Sequence, residues 1–139
     1  MTRPAAIIDS NVVVAGLLTQ RSDSPVARIL DGMLSAAFPF VLSEALLAEY
    51  HAVLARPKLR KLHGLTVAEV DTVLTDLAQH AIVRAPTPAA PSAPDVGDQM
   101  LWDLLASEAG LIWVTGDQRL LDDAGMRGRV VSAQAFVAS

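Results

Sequence analysis

The chain has no cysteine and few aromatic residues, only 4%. Without cysteine it can form neither a disulfide nor a thiolate metal site. No apolar run approaches the ~18 residues of a membrane-spanning helix, so no membrane association is expected. Met1-Thr2-Arg3-Pro4 is followed by only a few apolar residues before Asp9. That is shorter than the apolar core of a secretory leader, and a cytoplasmic protein is the expectation. No GxGxxG or phosphate-loop motif occurs, which leaves dinucleotide and nucleotide-triphosphate binding without a motif. His51, His63 and His80 are widely separated and have no metal-ligand spacing; they are expected to be structural or on the surface. No Ser/His/Asp arrangement is legible, so Ser10 and Ser43 read as helix caps. The net charge of −4 argues against coating nucleic acid by bulk attraction. A nuclease remains open, because a bound cation would reverse the field around a cluster of acids.

What is present is a chain of 139 residues, 52% of them hydrophobic. This is enough to bury a core, and it predicts a single domain over 1–139. Residues 5–9 read as a buried strand. Asp9-Ser10-Asn11 supplies turn and cap chemistry ahead of a helical stretch from Val12 to Leu18. Ser24 with Pro25 opens a helix that carries Val26, Ile29, Leu30, Met33 and Leu34. Phe38 to Leu42 reads as a strand weakened by Pro39. Ser43 caps a helix running toward Pro57. Thr66 and Glu69 form a capping box. Ala81 to Val83, Leu111 to Val114 and Val130-Val131 read as further strands. Between Ala85 and Pro94 the density of proline forbids regular structure and predicts a surface loop. The alternation of strands and helices predicts an α/β fold, a mainly parallel sheet covered on both faces.

Against this frame, four acids are placed suggestively. Asp9 ends the first apolar run. Glu49 lies inside the helix that Ser43 opens. Asp98 stands at the start of the helix carrying Met100, Leu101, Leu104 and Leu105. Asp117 follows Leu111 to Val114 after Thr115 and Gly116, the glycine permitting a tight turn. Taken singly, each has a bland reading: Asp9 as an N-cap, Glu49 as an exposed helix residue, Asp98 or Asp95 as a cap. Glu44, in the first turn of its helix, is explained by the helix dipole alone and is assigned a structural role. Ligands of open parallel sheets bind at the carboxyl ends of strands. Carboxylates gathered there repel one another, and a divalent cation is the simplest reason to gather them. Hard oxygen ligands without cysteine or clustered histidine favour Mg²⁺ or Mn²⁺ over zinc. Such an ion can lower the pKa of water and orient a phosphodiester.

Three stretches carry a family resemblance: Ile7 to Leu18, Leu42 to Lys58, and Asp95 to Leu101 running on to Trp113-Val-Thr-Gly-Asp-Gln-Arg-Leu-Leu121. Through them the sequence resembles the PIN-domain ribonucleases, and within these the VapC-like toxin components of toxin–antitoxin systems. The resemblance spans nearly the whole chain. It implies a PIN-like three-layer α/β/α sandwich with a mainly parallel sheet of about five strands. It also implies metal-dependent endoribonuclease activity, with Mg²⁺ or Mn²⁺ held by Asp9, Glu49, Asp98 and Asp117. Ser10, Asn11 and Thr115 match supporting positions. An RNA substrate, a cognate antitoxin and a homodimer follow as expectations. Gly97 stands where the family often has a further acid, and Asp95 is the candidate auxiliary ligand.

The densest basic stretch, Arg56 to His63, contributes Arg56, Lys58, Arg60 and Lys61 as candidates to hold RNA phosphates, and Arg119 joins them from beside Asp117. As a solvated helix end the stretch needs no such role. Trp102 and Trp113 read as core rather than base-stacking platforms. The reading is a metal-dependent endoribonuclease, the toxin of a type II pair. The alternative is a non-catalytic PIN-like module that binds RNA or protein. A phosphoacceptor receiver would want a lysine after a late strand, and there is none beyond Lys61.

Overall fold

The computed structural model describes residues 4–86, 93, 96–126 and 128–138. The first strand, β1 (Ala6–Ile8), is wholly buried and gives way at once to α1 (Ser10–Leu18). Next comes α2 (Pro25–Leu34), opened as expected by Ser24, whose hydroxyl accepts from the Ala27 N–H, with Pro25 in the first turn. A Cβ on Gly16 would stand 2.8 Å from the Val26 carbonyl, so glycine lets α1 and α2 approach closely.

Then follow β2 (Val41–Leu42), α3 (Glu44–Leu54), α4 (Pro57–His63) and α5 (Val67–His80). Ser43 caps α3 by accepting from Leu46, and Thr66 and Glu69 close the complete capping box on α5. Pro57, expected to end a helix, also begins one: it occupies the first turn of α4, where a missing N–H costs nothing. That short helix ends on Gly64 at φ 65°, a left-handed C-cap. The chain continues through β3 (Ile82–Val83), a single 3₁₀ turn (Val96–Asp98), α6 (Gln99–Ala106), β4 (Ile112–Val114), α7 (Gln118–Leu121), a second 3₁₀ turn (Ala124–Met126), β5 (Val130–Val131) and α8 (Ala133–Ala138). The proline-rich loop and Asp95 fall largely or wholly outside the described residues.

All strand pairs are parallel. β4 lies between β1 and β5, β2 pairs with β3, and a bridge from Ala6 to Phe40 joins the two sheets. The order is therefore β3-β2-β1-β4-β5. Pro39 shortens β2 as anticipated, yet its carbonyl accepts from the Ala6 N–H at 3.1 Å and so still serves the ladder. The chain winds outward from β1 to β3, then returns past β1 to β4. Connections of this kind are almost always right-handed. With that hand α1, α2 and α5 lie on one face and α6 and α7 on the other; α1 packs with α2 and α5 with α2, while α3 packs with α1, α5 and α6. Ile7, Ile8, Met33, Phe40, Leu46, Leu77, Leu104 and Trp113 form the centre of the core. Among the described residues no helix is long and apolar enough to cross a membrane.

Candidate active site

The strand order reverses between β1 and β4. In such sheets the crevice outside the carboxyl ends at that point is where ligands bind. The register pairs Ile8 with Val114, so the residues just beyond, Asp9 and Thr115, emerge side by side. The Asp9 N–H closes the ladder on the Val114 carbonyl at 2.9 Å.

Asp9 stands at the N-cap of α1, but its side chain makes no cap hydrogen bond. Its carboxylate turns toward β4. The Trp113 indole N–H donates to Oδ2 at 3.0 Å and the Thr115 hydroxyl to the same oxygen at 2.9 Å, whereas Oδ1 has only the Ser10 hydroxyl at 3.5 Å. Asp9 is 6% exposed, and no basic side chain lies within ion-pair distance of it among the described residues. A buried carboxylate without a counter-ion is costly, and here only neutral hydrogen bonds offset that cost.

Thr115 is the hub of the site. Its hydroxyl donates to Asp9 and accepts from the Asn11 amide at 3.2 Å and from the Asp117 N–H at 3.1 Å. One donor and two lone pairs are thereby used in full. Asn11 also accepts from the Gly116 N–H at 2.9 Å, stitching the start of α1 to the loop after β4. The structure thus joins Ser10, Asn11 and Thr115 around Asp9. At Gly116 a Cβ would meet only Asn11, no closer than 3.5 Å, so packing does not demand glycine in that turn.

Asp117 does cap its helix, accepting from the Arg119 N–H at 3.0 Å. The Arg119 guanidinium also grips both carboxylate oxygens, at 3.3 and 3.1 Å. These hydrogen bonds, the Arg119 side chain first, hold the carboxyl below its usual range. Arg119, a candidate phosphate contact that also reads as a surface residue on a short helix, is exposed and pairs with Asp117.

Glu49 is placed by its neighbour. The register set by Ala6 and Phe40 puts Leu42 level with Ile8, and two helical turns later the buried Tyr50 hydroxyl still donates to the Ile8 carbonyl. Helix α3 therefore runs along the carboxyl edge, with Glu49 half-buried on it. Burial, and then the charge of Asp9, raise the Tyr50 phenol well above its ordinary pKa, so it remains a donor. Asp98 is half-buried where the 3₁₀ turn meets α6, and its side chain makes no cap hydrogen bond. Both helices reach the edge, since α6 packs on β1 and on α3. Among the described residues, however, no three acids stand close enough together to ligate a single ion. Asp9 and Asp117 are linked through Thr115.

Glu44 is exposed in the first turn of α3. It also lines an open cleft beyond the ends of β2 and β3, together with Arg84, Met100 and Asp103. Arg56, Lys58, Arg60 and Lys61 are all exposed on or beside α4 and make no ion pair among the described residues. Of the histidines, His51 meets Asp71 at 3.6 Å, and His63 accepts from the Leu65 N–H while facing the Leu54 carbonyl. These are structural contacts, as expected.

A family model for the PIN domain matches residues 5–119. The chain belongs to the PIN-domain family. PIN domains are generally nucleases, and the matched segment contains Asp9, Glu49, Asp98 and Asp117. No curated protein matches the chain.

The donors suit a hard divalent cation of the kind PIN domains typically use. Mg²⁺ retains several waters and takes one or two carboxylates plus substrate phosphates. A site with Asp9 as its fixed carboxylate and Asp117 beside it meets that need without three direct protein ligands. The part of the arrangement missing from the sequence reading is Trp113. Its signal was latent: Trp113 on β4 and Thr115 just beyond the strand are two apart and so share a face, the face toward which Asp9 turns.

Proposed function

We propose that this chain is a Mg²⁺- or Mn²⁺-dependent endoribonuclease acting in the cytoplasm as the toxin of a type II toxin–antitoxin pair. The observation that carries the reading is Asp9, a buried carboxylate without a cationic partner, at the switch point of a PIN-domain sheet. Asp9 would hold the cation through Oδ1, with Asp117, Glu49 and Asp98 completing the shell directly or through water. When bound, the cation supplies Lewis acidity toward a phosphodiester and a water. The chain's own residues do the rest. Trp113 and Thr115 fix the Asp9 carboxylate, Asn11 fixes Thr115, and Tyr50 ties the Glu49 helix to β1. The cations on α4 and the residue before it offer phosphate contacts away from the acids.

The experiment is cleavage of a labelled RNA with Mn²⁺ present. Wild type cuts and Asp9→Asn does not, although the Asn carbonyl can still accept from Trp113 and Thr115 and so preserve the fold. Equal cutting by the two proteins would refute the assignment.

One observation favours the second reading, a PIN-like binding module: the acids do not gather into a three-ligand cluster among the described residues. Calorimetry with Mg²⁺ separates the two, since a module without a metal site gives no heat of binding. For the antitoxin, a small open pocket between α3, α4 and α5 has an apolar floor of Leu54, Leu65, Val67 and Val70 bordered by His51, Arg60 and His63, and Val67 is 60% exposed. This is a surface suited to an apolar helix of a partner. Co-expression with the neighbouring gene product tests it, and failure to co-purify counts against it. A homodimer is tested by light scattering of the isolated chain.

A further inference from the structure

We propose that Trp113 is a positioning residue for Asp9: its indole N–H and the Thr115 hydroxyl together occupy Oδ2, so that Oδ1 is the oxygen presented to a cation. The inference rests on the reading that Asp9 holds a metal, and it adds which atom does so and what enforces the choice.

A carboxylate has two oxygens and about four acceptor sites. At Asp9 the load is uneven, two short donors on Oδ2 against one contact of 3.5 Å on Oδ1. The two donors differ in kind. A threonine hydroxyl rotates and can exchange partners. An indole N–H only donates, and its direction is fixed by the ring. The Trp113 ring is packed in place, because the residue is 0% exposed and sits in an interior strand, paired with Ile7 and with Val130. Asp9 lies two residues beyond Ile7, a diagonal step that a large aromatic side chain can span. Partners of this sort commonly set ligand orientation, and losing one costs about 10–100-fold in metal affinity or activity.

The chain's other tryptophan shows the alternative. The Trp102 indole N–H is buried with no acceptor among the described residues. Among the described residues a buried indole is thus not always paired, and the pairing of Trp113 with Asp9 is a specific arrangement.

The test uses both residues. Trp102→Phe leaves Trp113 as the only indole, since the chain has two tryptophans. Adding Mg²⁺ to that variant is expected to shift the Trp113 emission, saturating at the concentration found by calorimetry, and Asp9→Asn in the same background is expected to abolish the shift. Trp113→Phe is expected to weaken Mg²⁺ binding about 10–100-fold while circular dichroism shows it folded. Unchanged Mg²⁺ affinity in folded Trp113→Phe overturns the inference and leaves the metal reading standing. Should Trp113→Phe fail to fold, the emission titration decides, and a flat emission alongside calorimetric binding overturns the inference. If wild type binds no Mg²⁺, the inference and the metal reading fall together.

Discussion

Asp9 and Asp117 leave neighbouring strands at the same edge of the sheet, yet they are held by opposite means. Asp9 is dry, and every group that fixes it is neutral: an indole, a hydroxyl and the backbone of β4. Asp117 keeps 22% of its side chain exposed and is held by Arg119, itself 80% exposed. Rigid neutral donors orient a carboxylate without cancelling its charge. A mobile guanidinium cancels the charge and can swing away. The site is therefore half built and half adjustable. Its fixed half lies in the core between β1 and β4, and its adjustable half is the Asp117–Arg119 pair at the start of α7.

Breaking the fixed half should have the largest effect. Asp9→Asn is expected to remove RNA cleavage, a loss of at least about 10³-fold if the metal's electrostatic role is lost. Its melting temperature should equal or exceed wild type, because a buried charge without a counter-ion is relieved. A gel assay and a thermal melt on the same protein check both halves of the statement, and lost activity with a collapsed melt would make Asp9 a fold residue.

Thr115→Val comes next. It leaves the Asn11 amide and the Asp117 N–H without their acceptor and Asp9 with one donor fewer, and should cost about 2–3 kcal/mol of stability by denaturant titration. Tyr50→Phe removes one buried hydrogen bond, that to the Ile8 carbonyl, at about 1–2 kcal/mol. Cleavage should fall further than this loss of stability explains, because the Glu49 helix is no longer tied to β1. Trp102→Phe should be close to neutral, since it deletes a donor with no acceptor among the described residues at the cost of some packing against the core.

The smallest effect belongs to the adjustable half. Arg119 holds the Asp117 carboxyl below its usual pKa, so folding gains from this pair above the ordinary carboxylate pKa of about 4 and loses the gain as pH falls through the lowered value. Arg119→Ala should return Asp117 toward the ordinary range, seen by NMR titration of its carboxyl carbon. The acid-side dependence of stability should flatten only slightly, as exposed pairs are worth less than about 1 kcal/mol. A large change there would mean that Asp117 is as fixed as Asp9.

The parts of this molecule that were legible in the sequence are those whose causes are local. Ser24 with Pro25, Ser43, and Thr66 with Glu69 announce helix starts within four residues of the groups they satisfy, and each cap is present. The apolar runs at β1, β4 and β5 fall as expected. Pro57 was legible only as a stop, because whether a proline ends one helix or opens another depends on how the chain turns around it. Asp9 had the local credentials of a cap and does not act as one; its true partners, Trp113 and Thr115, lie more than a hundred positions away. For the same reason Trp113 read simply as core.

Composition and pattern alone determined that this chain is an α/β protein without thiol chemistry, that α2, α3 and α5 start at their capping residues, and that Asp9, Glu49, Asp98 and Asp117 are the acids to watch. Only the tertiary structure decided that β4 lies beside β1, and with it everything that distinguishes one of those acids from another. Side-chain identity and capping are fixed by residues a few bonds apart. Strand order is fixed by which buried surfaces pack together across the whole chain, and no short window of sequence contains it.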